Sequence, residues 1–284
     1  MSTGALIAPF ATLGSEEDGA LHEFYTTTTS RDIFERGSTL IRLLTHDSLA
    51  STRPLEALIA CHVDAELLRK VAAAHARGRR LYVGTVDLDA QQFVVWNMGK
   101  IAASGRPEAV ELFRRVMLAS ASIPIVFPPV FFDVEVDGRR YDEMHVDGGV
   151  AARVFLNGGV FDLALLSTRG GPGKGREDIF VIHNGQLRAV PSATPRSLFA
   201  IASDVLEVSG RSGMIDDLFR IYAVAVRVQG GYQWVTIAED VKLGGAAVFD
   251  PVEMTALFAL GYRVAREGPV WRTRPPGFRN QEAP

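Results

Sequence analysis

A chain of 284 residues that is 47% hydrophobic is long enough to bury a sizeable core, and no Ser/Pro-rich linker divides it. Its 30 basic and 33 acidic residues are well mixed and leave a formal net charge of −3, which argues against a nucleic-acid partner, since that would require a basic face. Cys61 is the single cysteine, so an internal disulfide and a thiolate metal site are excluded, and no apolar run reaches the roughly 18 residues of a membrane-spanning helix.

The first stretch, Gly4 to Leu13, is apolar but has no basic residues before it and no small-residue cleavage pattern, so it is not read as a signal peptide. Residues 3–13 predict a helix interrupted by Pro9, and Ser15 followed by Glu16, Glu17 and Asp18 predicts a second helix start. Asp64 caps a predicted helix that runs to Arg77 with Leu67, Leu68 and Val71 on one side and Gly78 as its stop. Leu81 to Leu88 and Phe93 to Met98 read as strands. Pro107 opens a helix in which Val110, Phe113, Met117 and Ala121 recur at helical spacing, and Pro124 ends it. Val130 to Val136 and Arg139 to Val146 flank Asp137-Gly138 and predict a hairpin.

Farther on, Leu163 to Ser167 and Ile179 to His183 are short buried-strand candidates on either side of a Gly-rich loop, Arg169 to Glu177. That loop is not a phosphate loop, because Thr168 stands where the leading Gly belongs and Gly175 where the Ser or Thr belongs. Two helices are predicted at 195–208 and 215–225, a strand at Tyr232 to Ala238, and a last helix from Asp250-Pro251 to Glu267, stopped by Gly268. Strands alternating with helices predict an α/β layered fold, taken as one domain over residues 1–271, with a polar, Pro-rich and poorly ordered tail at 272–284.

Two short motifs carry chemistry. Ser2-Thr3-Gly4 precedes an apolar helix and suits a serine on a sharp turn with small neighbours, although a helix-capping serine is the plainer reading. Asp147-Gly148-Gly149 follows a predicted strand, where α/β sheets place their sites, although an ordinary turn would look the same. The two motifs are 147 − 2 = 145 positions apart, and the segment LASASIP, Leu118 to Pro124, lies between them. With FYTTTTSRDIF at Phe24 to Phe34 and VVWNMG at Val94 to Gly99, this set resembles the patatin-like phospholipase family from Ser2 to at least Val154.

The resemblance implies a layered patatin-like hydrolase fold, with helices on both faces of a central sheet. It also implies a Ser–Asp dyad without His. Ser2 is the nucleophile, Asp147 the base, and Gly4, Gly148 and Gly149 belong to the motifs. The substrate would be a lipid ester, met at a membrane surface in one version of this reading, cleaved through an acyl-enzyme without metal or organic cofactor. An ordinary aspartate is a weak base at neutral pH, so the role calls for a buried one. In the family's pattern the first Gly of the elbow would fall one residue before Met1. The expectation is therefore a chain that starts inside its own elbow, lacks the first strands and the Gly-rich oxyanion loop, and is nearly silent as a catalyst.

Other readings compete. His183 follows Asp147, so Ser2, Asp147 and His183 have the chain order of an α/β-hydrolase triad, although a hydrogen-bonded strand-end histidine is the leading reading of His183. A non-catalytic lipid-binding remnant of the same fold is a second rival. Removal of Met1 would expose the Ser2 amine, as in an N-terminal nucleophile enzyme. His145 shares a face with Asp147 and reads first as a sheet-surface residue. No two histidines have the spacing of zinc ligands. The apolar run Ile123 to Phe132 reads either as a wall for an acyl chain or as buried loop and strand.

Overall fold

The computed structural model describes residues 1–33, 35–36, 50–156, 178–188, 191, 193–241, 249–268 and 271–278. The expected strand at Leu163 to Ser167 and the Gly-rich loop Arg169 to Glu177 lie outside the described residues. The chain divides into two compact units, Met1–Ala151 with Leu243–Ala265, and Ala152–Lys242 with Arg266–Pro284.

In the first unit, helix α1 (Thr3–Leu13) continues through Pro9 and buries Ala5, Leu6, Pro9 and Phe10. Ser15–Glu17 forms a short 3-10 turn that leads into α2 (Asp18–Thr26), and α3 (Ser30–Ile33) follows. A two-stranded ribbon pairs β1 (Glu35–Arg36) with β2 (Ala50–Ser51). Helix α4 (Arg53–His62) carries Pro54 in its first turn, where the missing N–H leaves no bond unmade. Asp64 caps α5 (Ala65–Ala76) by accepting the Leu67 N–H at 2.8 Å, and Gly78 follows at φ 100°.

The sheet of this unit has the order β4-β3-β6-β5, with every neighbouring pair antiparallel. It consists of β3 (Tyr82–Asp87), β4 (Gln92–Asn97), β5 (Val130–Val136) and β6 (Arg139–Asp147). The β5–β6 hairpin turns on Asp137 and Gly138 at φ 52° and 74°, the left-handed pair that a two-residue turn of this hand requires. Two helices lie between β4 and β5 in the chain, α6 (Met98–Ala102) and α7 (Ala109–Ala121). Helix α7 is the hub of the core: Phe113, Val116 and Ala119 are each 0% exposed, and they join a cluster with Phe10, Ile59, Val71, Val83 and Phe132. Its last turn is buried throughout, polar Ser120 included. The unit is thus α/β, with a central antiparallel sheet and helices. Helix α9 (Pro251–Glu267; the numbering leaves α8 for the second unit) starts where the sequence predicts, with Asp250 accepting the N–H groups of Val252 and Glu253 at 2.8 and 3.2 Å.

In the second unit, β7 (Asp178–His183) pairs in parallel with β8 (Gly231–Thr236). A single helix α8 (Leu198–Arg227) replaces the two helices predicted at 195–208 and 215–225. Gly210 and Gly213 look like a break, but an interior glycine costs a helix only about 1 kcal/mol relative to alanine. At Gly210 the missing side chain leaves room for the Arg153 guanidinium, which packs against the helix there. Met214, Leu218, Ile221 and Ala225 of α8 pack with Val181, Tyr232 and Trp234. At the start of the tail, Arg272 and Trp234 exchange backbone hydrogen bonds at 2.9 and 3.0 Å and the Trp234 indole donates to the Arg274 carbonyl at 2.8 Å, while residues 279–284 lie outside the described residues. Among the described residues no helix is long and apolar enough to cross a membrane.

Two predictions follow from this packing. Phe113→Ala should destabilise the first unit by about 3–5 kcal/mol, the cost of emptying a buried aromatic site, read from urea denaturation. Burial, aided by the Arg153 charge, holds the His183 imidazole below its usual pKa of about 6.5. An unfolded chain therefore takes up this proton at a higher pH than the folded one, and stability should fall as pH drops below about 6.5. His183→Gln should weaken that acid sensitivity in the urea midpoint.

Candidate active site

Ser2 stands one residue before α1 with φ 53° and ψ −133°. Residues with a side chain seldom enter that region, and holding one there stores strain. The Ser2 N–H donates to the Ser120 carbonyl at 2.8 Å, while the Ser2 carbonyl accepts the Ala5 N–H at 2.9 Å. Its side chain makes no capping hydrogen bond to the helix, contrary to the plain helix-cap reading. A nucleophile elbow places its serine on a strained strand-to-helix turn, and Ser2 shares the strained turn and the helix start with it. Gly4 donates its N–H to the Met1 carbonyl at 3.0 Å, but a Cβ there would meet nothing within 4 Å, so its described neighbours do not require glycine.

Asp147 closes β6 and is 5% exposed. Its Oδ1 accepts the Gly149 N–H at 2.7 Å, which folds the Asp-Gly-Gly turn back on the carboxylate. Gly148 is demanded by contact. A Cβ there would lie 2.4 Å from the Gly84 carbonyl oxygen and 2.9 Å from Met1 Cγ. The turn therefore crosses β3 at Gly84 and touches the residue that precedes Ser2. Asp147 also acts electrostatically on the Met1 amine, whose pKa is lowered by burial and held up in part by that carboxylate.

The turn at the end of α7 joins the two motifs. The last carbonyls of a helix have no partner within it and must find donors elsewhere. Here the Ser120 carbonyl takes the N–H of Ser2, and the Ser122 carbonyl takes the N–H of Asp147 at 2.9 Å. The Ser120 hydroxyl donates to the Gly84 carbonyl at 2.7 Å, and the Ser122 hydroxyl donates back to the Leu118 carbonyl at 2.9 Å. Both serines are buried. Sequence reasoning flagged LASASIP but gave Ser120, Ser122 and Gly84 no role. The available signal was a pair of serines at the end of an amphipathic helix whose last turns are otherwise apolar.

Asp147, His145 and Glu143 alternate along β6, and Thr85 and Asp87 of β3 lie opposite Asp147 and His145. His145 is 0% exposed, so the expected sheet-surface position is corrected. The Phe132 ring at 4.9 Å and the Trp96 ring at 5.7 Å cover it. Its Nδ1 meets Thr85 Oγ1 at 2.9 Å and its Nε2 meets Glu143 Oε2 at 3.2 Å, while the Trp96 indole donates to Thr85 Oγ1 at 2.8 Å. His183 belongs to the second unit, where its Nδ1 meets Thr236 Oγ1 at 3.1 Å. The run Ile123 to Phe132 divides: Phe127, Val130 and Phe132 are buried, Ile123 is 41% exposed, and Ile125 sits at φ 73°, strained for a β-branched residue. A cleft of about 590 Å³ runs between α4 and α7, lined by Arg53, Ile59, Arg114, Arg115 and Leu118, and neither Ser2 nor Asp147 lines it.

No curated protein matches the chain. The family model described as patatin-like phospholipase matches residues 1–157, a span that holds Ser2, the Ser120–Ser122 turn and Asp147. With more than half of its length matched, and with an α/β architecture that fits, the chain belongs to the patatin-like phospholipase family.

Proposed function

We propose that this protein is a lipid acyl hydrolase that cleaves carboxylic esters of phospholipids or related lipids, with Ser2 as nucleophile and Asp147 as general base. One observation carries the reading: the strained serine and the buried strand-end aspartate are both anchored, through their own N–H groups, to carbonyls two residues apart on one turn. Family membership supports the lipid class of substrate.

In this mechanism Ser2 Oγ attacks the ester carbonyl carbon while its proton passes to the Asp147 carboxylate. The tetrahedral intermediate collapses, the carbon–oxygen bond to the alcohol breaks, and Asp147 returns the proton to the departing oxygen. Water then attacks the acyl-enzyme by the same route, giving the free carboxylic acid and restoring Ser2. The hydrogen bond from Gly149 to Asp147 Oδ1 holds the carboxylate in place at the end of β6. The Ser2 hydroxyl makes no capping bond to the helix, so it is not engaged there.

The test is hydrolysis of a p-nitrophenyl acyl ester by the chain and three variants. Asp147→Asn keeps the shape and removes the base, so the rate should fall by about 10²–10⁴-fold. His183→Ala should retain most of the activity. An equal loss at His183 would favour a Ser–Asp–His triad instead. Turnover by the wild type no greater than by Ser2→Ala would favour the non-catalytic, lipid-binding reading.

A further inference from the structure

Asp87, Glu143 and His145 each present a ligand atom, and these three atoms lie within 4.8 Å of one another. Strand pairing builds the cluster. Asp87 stands directly opposite His145, and Glu143 is two residues back on the same strand, so all three side chains leave one face of the sheet. We propose that this cluster binds a divalent transition-metal ion, with Zn²⁺ as its chemical type, between β3 and β6.

The argument is one of carboxylate charge that no described cation balances. Asp87 is 4% exposed, and both of its hydrogen bonds, from the N–H groups of Asp89 and Ala90 at 2.9 and 3.2 Å, fall on Oδ1. Its Oδ2 has no hydrogen-bond donor among the described residues. No lysine or arginine among them pairs with Asp87 or Glu143. Asp87 and the half-buried Glu143 bring two carboxylates together beside His145, and a divalent cation would balance their charge.

His145 is oriented for the metal role. Thr85 Oγ1 holds Nδ1 at 2.9 Å and is itself fixed by the Trp96 indole, the kind of outer support that metal-binding histidines have. Without an ion, Nε2–H donates to Glu143 Oε2, 3.2 Å away; with the ring proton moved to Nδ1 and given to Thr85, Nε2 would present its lone pair to the metal. Neighbouring ligands around a tetrahedral zinc stand about 3.4 Å apart when each bond is about 2.1 Å, so little movement is needed. An imidazole with two carboxylates favours Zn²⁺ over Mg²⁺ or Ca²⁺, which prefer oxygen alone. The half-buried Glu143 leaves a path of entry. The ion would pin the end of β3 to β6 two residues before Asp147, and its binding is independent of the hydrolase reading.

The test is calorimetric titration of Zn²⁺ into the chelator-treated chain, with circular dichroism to confirm that each variant is folded. The wild type should bind one Zn²⁺ at this site at least tenfold more tightly than Mg²⁺ or Ca²⁺. Asp87→Asn and Glu143→Gln should each abolish that binding, and the half-buried position of Glu143 makes its variant the safer one to fold. Thr85→Val should weaken it by about 10–100-fold. Absence of Zn²⁺ binding by the folded wild type would overturn the proposal. Undiminished binding in folded Glu143→Gln, or equal affinity for Mg²⁺, would do so as well.

Discussion

The hydrogen bonds at the end of α7 organise the functional half of this molecule. A helix must find donors for its terminal carbonyls, and α7 takes them from Ser2 and Asp147. Segments 145 positions apart are thereby fixed to one another through a rigid, fully buried helix end. The Ser120 hydroxyl extends the tie to β3 at the Gly84 carbonyl, the same group on which Gly148 closes. Helix end, strand and both turns therefore share one small set of backbone contacts. A side chain at Gly148 would force them apart.

Polar groups continue away from this point along one face of the sheet. Thr85, Asp87, Glu143, His145 and Asp147 lie on the face that also carries Val83, Val130 and Phe132, so the polar row is set beside the apolar core. Buried polar groups of this kind must be paired or carry a steep cost. The Trp96–Thr85–His145–Glu143 chain meets that demand for most of the row. Asp87 and Glu143, which no described lysine or arginine pairs, are the groups on which the proposed metal site rests.

Much of the fold was legible because its signals are local. The Asp64 cap, the Asp137-Gly138 turn and the apolar spacing of α7 each act within a few residues, and each leads to the expected element. The two motifs were legible as a family pattern. The supporting parts were not, because they exist only after folding. Gly84 matters through a backbone approach from a turn more than sixty positions later. Ser120 and Ser122 matter through carbonyls that every residue has. His145 sits beyond a polar stretch, Arg139 to Glu143, that reads as exposed, and rings from two other strands bury it. Helix α8 defeated a local rule in the opposite sense, since Gly210 marks a tight contact with Arg153 and not a break.

The central claim is that the strained turn at Ser2 presents a nucleophile. Its most direct test is covalent capture, with an alkyl fluorophosphonate incubated with the chain and the modified residue located by peptide mass spectrometry. The account predicts a single phosphonyl adduct on Ser2, absent from Ser2→Ala. An adduct on Ser120, Ser122 or another serine, or labelling undiminished in Ser2→Ala, would contradict it.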